Sequence, residues 1–271
     1  MNLTHGYRLV AAPFFHQSID WSSRLLLGGG VEEEQGRFVA RPAWRVPTAA
    51  ELAALAIDGA PTKRDELDGC LCLFALPQHL QTAWWDMLDR ARPAGTTHLE
   101  GFDAFVHEVG SLLAFKELPV PGGATFELVA SQPGQRSIGW NAGGARPEGL
   151  AFDRSPRTPW PLPPEQRPAR LWGAINLGNE AIWAVLVNLA AEQMHGMLAQ
   201  CCPGLPAPAN HGELAARFLT HLADYPPIRL RLEPGEGYRL PAGGVLVDAC
   251  TLDMHEPAVL LLIGDRGEKG R

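Results

Sequence analysis

The stretch that decides the fold is PIRLRLEPGEGYRLPAGGVLVDACTLDMHEPAVLLLI, residues 227–263. It contains four extended apolar runs, and each break between them carries Pro, Gly or Asp. Short strands joined by tight turns are typical of antiparallel sheets that close or pack in pairs. The stretch therefore predicts a double-layered β structure, a jelly roll. Its predicted strands are Ile228–Leu232, Tyr238–Leu240, Val245–Ala249 and Ala258–Ile263.

Upstream of this stretch, the sequence pattern changes from helical to extended near residue 120. The first part contains two capping boxes, Thr48–Glu51 and Thr97–Glu100, each followed by apolar residues at helical spacing. Pro77 suits the first turn of another helix between them. We therefore expect three N-terminal helices that flank the sheet.

The later part of the chain alternates predicted strands and helices. Residues 124–131 (ATFELVAS) predict a strand, and the turn Leu177–Glu180 predicts a hairpin. Residues 190–200 and 210–222 are predicted helices, and Asn210 is the expected cap of the second. These two helices form an insertion between the hairpin and the C-terminal strands.

The whole chain of 271 residues is expected to form a single domain, because its length suits one large core. The expected fold class is α+β, a double-stranded β-helix (jelly roll) with flanking N-terminal helices and a helical insertion. The part over 1–120 is expected to be mainly helical, and the jelly-roll core is expected over 121–271.

Charge and composition narrow the classes of partner. The net charge is -7 and the sequence has no run of Lys or Arg, which argues against nucleic acid and anionic membrane surfaces. No apolar segment reaches membrane-spanning length, and the N-terminus lacks a secretion-signal pattern. We therefore expect a cytoplasmic protein that acts on a small-molecule substrate, with a homodimer or a heteromeric partner left open.

The cysteines give no sign of a disulfide framework or a zinc knuckle. Their number is five, and neither Cys70-x-Cys72 nor Cys201-Cys202 has the two-residue spacing of a zinc motif. Together with Cys250 they are expected to be buried thiols in a reducing compartment.

Two phrases of the sequence carry a family resemblance. Ile175–Glu180 (INLGNE) and Leu232–Tyr238 (LEPGEGY), within 137–188 and 227–263, resemble the core of the Fe(II)- and 2-oxoglutarate-dependent oxygenases of the cupin type. The likeness is to members that modify amino acids or specialised metabolites. It implies a jelly roll that holds iron through a His-x-Asp pair and a later His, with an Arg for 2-oxoglutarate.

The chain departs from that family at the positions of the iron ligands. Asn141 begins the segment in the place of His-x-Asp, and Val247 stands where the later His is expected. Ile263 and Gly264 occupy the place of the Arg. Because Fe(II) in such sites needs three ligands on one face, the resemblance implies a divergent member with a degenerate metal site. No cofactor is therefore expected; Fe(II) and 2-oxoglutarate would be required only if the true ligands lie elsewhere.

A displaced metal site is the alternative. Asp248, Asp253 and His255 are close in sequence and offer oxygen and nitrogen donors for zinc or iron. The last two also lie at a predicted turn, where solvated loop residues are the simpler interpretation.

Tryptophans and a few polar residues mark the predicted mouth of the barrel. Trp140, Trp160 and Trp172 fall on the predicted strands and on the Pro-rich connection 143–168, and indole rings suit a flat or aliphatic substrate. The polar residues expected to act in catalysis, if the protein is an enzyme, are Asn141, Asp248, Arg136 and Tyr238.

Three hypotheses about function follow. The first is a small-molecule tailoring protein on an oxygenase-like jelly roll that lacks the usual iron and 2-oxoglutarate chemistry and uses acid–base groups, if it catalyses at all. The second is a genuine non-haem Fe(II) and 2-oxoglutarate dioxygenase, a hydroxylase, with displaced ligands. The third is a non-catalytic binding subunit that pairs with an active relative.

Overall fold

The computed structural model of the protein describes most of the chain. The described residues are 3–12, 19–34, 36–57, 69–94, 99–115, 118, 124–137, 151–152, 171–241 and 245–265. Their helices are α1 (Trp21–Arg24), α2 (Ala49–Leu55), α3 (Gln78–Ala94), α4 (Phe102–Phe115), α5 (Ala191–Cys201) and α6 (His211–His221). Their strands are β1 (Arg8–Ala11), β2 (Leu25–Gly28), β3 (Val31–Glu34), β4 (Arg37–Ala40), β5 (Trp44–Arg45), β6 (Cys70–Ala75), β7 (Ala124–Ser131), β8 (Ala151–Phe152), β9 (Leu171–Asn176), β10 (Ile182–Leu186), β11 (Ile228–Leu232), β12 (Glu236–Arg239), β13 (Leu246–Cys250) and β14 (Ala258–Asp265).

The strands form two six-stranded sheets and a small hairpin. Sheet 1 has the order β1-β6-β12-β9-β14-β7, sheet 2 has the order β5-β2-β11-β10-β13-β8, and β3 pairs with β4. Among the described strands, β1 and β6 pair in parallel, and the other pairings are antiparallel.

The two sheets pack face to face, and helices cover both outer faces. Alternation along each strand sends one set of side chains inward, so that Ile228, Leu230 and Leu232 of β11 join the apolar core between the sheets. The outer face of sheet 1 packs against α3 and α4, and the outer face of sheet 2 packs against α5 and α6. The result is four layers in the order helix, sheet, sheet, helix.

Local sequence signals explain where several helices begin. The Thr48 hydroxyl accepts a hydrogen bond from the Glu51 backbone N–H, and the Glu51 carboxylate accepts one from the Thr48 backbone N–H. The Asn210 side chain accepts from the Glu213 backbone N–H at 2.9 Å and caps α6. These two predicted caps are therefore confirmed, as are the four strands predicted over residues 227–263. Thr97 of the other predicted capping box lies outside the described residues.

The α+β class agrees with the structure, but two features differ from the expectation. The part over 1–120 contributes β1–β6 as well as helices, so it is less helical than the sequence indicates. The hairpin predicted at Leu177–Glu180 is wrong, because β9 lies in sheet 1 and β10 in sheet 2.

The turn between β9 and β10 is a corner that Asn176 holds. Its buried amide donates to the Glu180 and Leu232 carbonyl oxygens at 2.8 and 3.0 Å and accepts from the Gly178 N–H at 3.0 Å. The turn chemistry recognised in the sequence is therefore real, but it carries the chain from one sheet to the other instead of joining neighbouring strands.

Candidate functional site

A cleft lies between the outer face of sheet 1 and the C-terminal end of α4. Its empty volume is about 230 Å³, open solvent at the mouth included. Apolar side chains from strands of sheet 1 and from α4, together with Leu118 beyond the end of the helix, form most of the wall. The described residues that line it are Phe74, Leu113, Leu118, Trp172, Gly173, Tyr238, Arg239 and Ile263.

A β-bulge turns Trp172 towards this cleft. In the pairing of β9 with β14, Gly173 lies opposite Ile263 and Leu171 lies opposite Gly264, so Trp172 is the extra residue of the bulge. Strict alternation would place Trp172 with Ala174 in the core between the sheets. The extra residue instead lets its side chain pack with the helix-covered core on the outer face. Trp172 is the predicted substrate-binding tryptophan that the structure places at the cleft.

Arg239 is the buried arginine among the residues around the cleft; no polar atom of the described residues contributes surface to the cleft, and Arg239 takes part in interactions within the chain. It is 6% exposed, and its Cα pairs with that of Gly173 on β9. A Cβ at Gly173 would lie 2.0 Å from the Tyr238 carbonyl oxygen, so this close approach of the two strands requires glycine. Among the described lining residues, Arg239 is the single charged side chain.

Tyr238 borders the cleft through its strand, but its ring belongs to the core between the sheets. The ring is fully buried, and within the described part of the chain its hydroxyl has no hydrogen-bond partner. Burial above all, and then the negative charge of Asp248, raise the pKa of Tyr238 well above its usual range. Burial therefore favours the neutral form of this hydroxyl, and the predicted catalytic role of Tyr238 stays a prediction.

Asp248 faces the opposite side of the molecule. Its neighbours Val247 and Ala249 point into the core between the sheets, whereas Leu246 and Cys250 pack under the helices on sheet 2. Alternation therefore places the Asp248 carboxylate on the helix-covered face, where it is buried and accepts from the Ala249 N–H at 2.7 Å. The structure does not bring it together with the cleft.

Arg136 has a structural role between distant segments. Its guanidinium donates to Glu32 at 2.5 Å, to Glu34 at 3.1 Å and to the Ala40 carbonyl oxygen at 2.7 Å. It thus ties the segment after β7 to the β3–β4 hairpin. The predicted catalytic role of Arg136 stays a prediction.

The residues of the alternative metal site lie apart. The Asp253 carboxylate is exposed and lies 3.7 Å from Arg229, while the exposed His255 ring lies 3.4 Å from the Glu180 carboxylate. Asp248 is buried on its strand. In the part of the chain that the structure describes, no three His, Cys, Asp or Glu side chains are grouped as metal ligands.

The residues at the family's iron positions that are described do not suit iron. Val247 is apolar and buried in the core between the sheets. Ile263 packs on the outer face of sheet 1, so an Arg at that position would point away from this core. Asn141, Trp140 and Trp160 lie outside the described residues, so their predicted roles stay predictions.

A second polar cluster lies on the outer face of sheet 2. The buried Arg229 guanidinium lies 4.3 Å from the Trp44 ring and 5.7 Å from the Trp183 ring, and it donates to the Cys250 sulfur at 2.8 Å. The pKa of the Cys250 thiol is raised, because the effect of burial outweighs the opposing effect of the Arg229 charge. Cys250 is therefore a buried thiol and not an exposed nucleophile.

The five cysteines are all free, as the sequence predicts. Burial is confirmed for Cys70, Cys72 and Cys250, but Cys201 is exposed and Cys202 is half-buried at the end of α5. The last buried residue of α5 is Leu198, so the buried contact of the helix ends before these two cysteines. The expectation that all the thiols are buried is therefore wrong for this pair.

Sequence reasoning missed Arg239. The signal was present in Tyr238-Arg239-Leu240, because a charged residue between two apolar ones marks the other face of a strand. Helices were expected to flank the sheet, but the strand alone could not show that one of them covers this face.

Comparison of the chain with protein-family models, curated proteins and solved structures gave no significant match. The resemblance to the oxygenase family therefore stays a prediction. Within the described residues, no helix is both long enough and apolar enough to cross a bilayer.

Proposed function

We propose that β7–β14 form a jelly roll and that the protein binds a small molecule in the cleft between sheet 1 and α4. The strand order supports the jelly roll: these strands have the orders β7-β14-β9-β12 in sheet 1 and β8-β13-β10-β11 in sheet 2. All but one of the connections between successive strands cross between the sheets, as a folded-over double sheet requires.

The single observation that carries the binding function is the cleft with its re-aimed Trp172 and its buried Arg239. Bulges are enriched next to functional sites because they redirect a side chain, and an apolar pocket with one polar anchor is typical of ligand sites. The enclosed part of the cleft has room for about one water molecule, so the proposed ligand lies at its open mouth.

We also propose that the protein does not use iron and 2-oxoglutarate at the positions that the oxygenase family uses. The apolar Val247 in the core between the sheets supports this proposal. Any tailoring reaction would then depend on shape and on the charge of Arg239. Five free cysteines support a reducing compartment, so we propose that the protein works in the cytoplasm.

Blocking the cleft tests the binding function. Leu113→Trp places a larger side chain in the wall, and Leu112→Trp is the control on the same helix, since Leu112 does not line the cleft. We expect compounds found by ligand-observed NMR screening of a library of small metabolites to lose binding to Leu113→Trp and to retain it with Leu112→Trp. Binding that survives Leu113→Trp, in a variant that unfolds cooperatively, would place the ligand elsewhere and overturn the proposal.

Metal analysis tests the chemistry. We expect protein purified without oxygen and supplied with Fe(II) and 2-oxoglutarate to retain no stoichiometric iron and to form no succinate. Stoichiometric iron together with succinate formation would establish the oxygenase hypothesis instead.

A further inference from the structure

The C-terminal end of α5 carries the two cysteines that solvent can reach. Cys201 is exposed and Cys202 is half-buried, whereas Cys70, Cys72 and Cys250 are buried. We propose that the adjacent pair is a binding site for trivalent arsenic, a soft and thiophilic element that two neighbouring sulfurs can hold together. The inference is independent of the cleft on sheet 1.

The sequence explains why the pair lies at the end of a helix. Cys202 precedes Pro203, and a proline disfavours helical backbone at the residue before it. Helix α5 accordingly ends at Cys201, and Cys202 is its C-cap. The Cys202 N–H donates to the Leu198 carbonyl oxygen at 2.8 Å, and the Cys202 carbonyl oxygen accepts from the Leu205 N–H at 3.0 Å. The backbone of the second cysteine is therefore held, while the exposed side chain of the first is free to rotate.

The backbone of Cys202 also lets the two sulfurs converge. Consecutive side chains inside an α-helix project about 100° apart and do not face each other. Cys202 has φ -135° and ψ 65°, well outside the helical region. The pair is therefore not bound to the divergent arrangement that two helical neighbours have.

The same two cysteines are poorly placed for a disulfide with each other. Two Cα atoms joined by a trans peptide are about 3.8 Å apart, whereas disulfides usually need a Cα separation of roughly 4.4–6.8 Å and store strain outside it. An atom that bridges the two sulfurs lengthens the link and relieves this strain. Both thiols are free, and the pair is suited to act as a dithiol ligand.

The number of donors decides which ion the pair suits. Across the described ranges of the chain, no third His, Cys, Asp or Glu side chain joins the two thiols as a metal ligand. A structural zinc ion takes four ligands, so this pair alone is too small for zinc. Thiolates select soft ions, and the arsenic of an organic arsenoxide carries its own third substituent. Two sulfurs from the protein therefore complete its coordination.

Binding of an arsenoxide to the pair is a condensation. Each thiol gives up its proton, two arsenic–sulfur bonds form, and the arsenic–oxygen bond breaks, so that the oxygen and the two protons leave as one water. Arsenic stays trivalent and both sulfurs keep their oxidation state. The step therefore needs neither an oxidant nor a reductant.

Phenylarsine oxide tests the site in the full chain. We expect intact-mass spectrometry to show one phenylarsenic group per folded chain, and peptide mapping to place it on the peptide that contains Cys201 and Cys202. In the intact pair the second thiol binds intramolecularly, which strengthens binding by about 100-fold or more. Cys201→Ser and Cys202→Ser should each lose at least about 100-fold in apparent affinity, measured by competition with a small dithiol. Cys70→Ala is the control, because it removes a buried thiol of the Cys-x-Cys sequence on β6 and should leave binding unchanged.

Three results would overturn the inference: no adduct on the unmodified chain, an adduct that either serine variant retains with unchanged affinity, or an adduct that Cys70→Ala removes. Stoichiometric Zn(II) that Cys201→Ser releases would also overturn it, since the site would then contain further ligands. Because Cys201 is exposed, Cys201→Ser is expected to fold; if Cys202→Ser does not, Cys201→Ser and the peptide map decide. Ligand binding in the cleft is judged separately, by the library screen with Leu113→Trp.

Discussion

Two buried tyrosines provide a sharp test of the hydrogen bonding in the core. Tyr238 is 0% exposed and its hydroxyl has no hydrogen-bond partner among the described residues. Tyr225 is 2% exposed, but its hydroxyl donates to the Asn188 side-chain oxygen at 2.7 Å and accepts from the Thr4 N–H at 3.3 Å. The same change, Tyr→Phe, therefore removes an unsatisfied group at one site and two hydrogen bonds at the other.

The two variants are expected to differ in their effect on the free energy of unfolding. A buried polar group without a partner costs about 1–3 kcal/mol, so Tyr238→Phe should leave the free energy of unfolding unchanged or raise it by about 1 kcal/mol. Tyr225→Phe should lower it by about 1–2 kcal/mol, because the Asn188 amide oxygen loses its donor. The difference of about 2 kcal/mol corresponds to roughly 4–8 °C in Tm for a chain of this size.

Urea and thermal unfolding, followed by near-ultraviolet and far-ultraviolet circular dichroism, would measure both variants under the same conditions. A loss of stability in Tyr238→Phe as large as that in Tyr225→Phe would refute the reasoning, because the Tyr238 hydroxyl would then have a partner beyond the described residues. The same variant also tests the sequence prediction that Tyr238 is catalytic. We expect ligand binding in the cleft to persist in Tyr238→Phe.

Three further predictions concern stability. Glu236→Ala should lower the free energy of unfolding by about 3 kcal/mol, since it leaves the largely buried Arg24 without its carboxylate, as chemical denaturation would show. The pKa of Glu51 is lowered to about 2, chiefly by hydrogen bonding from Arg45. The contribution of the Glu51 carboxylate to the free energy of unfolding is therefore fully present above roughly pH 4.5 and is lost as the pH falls towards 2. The destabilisation by Glu51→Gln, about 1–2 kcal/mol at pH 7 after allowance for solvent screening, should therefore shrink in acid, and a constant difference between pH 7 and pH 2 would contradict this. Gly173→Ala should prevent stable folding, because its Cβ would meet the Tyr238 carbonyl oxygen. Gly196→Ala has open space at a helical position and should raise Tm slightly. Equal effects of the two variants in thermal unfolding would disprove the close approach of β9 and β12 at Gly173.

Local elements of the fold could be predicted from the sequence because their causes are local. The capping box of Thr48 and Glu51 and the cap at Asn210 depend on residues three apart, and both are present as expected. The partner of each strand depends on residues far away in the chain. For this reason the turn after Asn176 was predicted as a hairpin, although its amide binds the Leu232 carbonyl oxygen and directs the chain into the other sheet.

The candidate site was predictable only in part, for a related reason. Trp172 was expected near a ligand because of its residue type, but the bulge that turns it outward depends on the register with β14. Arg239 could be assigned to the outer face of a strand by alternation, yet its burial depends on α4, which precedes it by more than a hundred residues. A charged residue on such a face becomes a binding candidate only when a distant element covers it.

The ambiguity at β13 has the same physical origin and bears directly on the metal hypothesis. All five residues of this strand are buried, so the alternation of apolar and polar residues that normally separates the two faces is absent, as in other strands covered on both sides. Sequence alone therefore could not decide whether Val247 or Asp248 faces the core between the sheets. Pairing with Val185 on β10 fixes Asp248 opposite a residue of the helix-covered core. Moving its carboxylate into the inner core would require a one-residue slip of the strand, which would also exchange Val247 and Ala249 with Leu246 and Cys250. The register that packs both faces thus keeps this carboxylate out of the core between the sheets, which is where the metal hypothesis would need it.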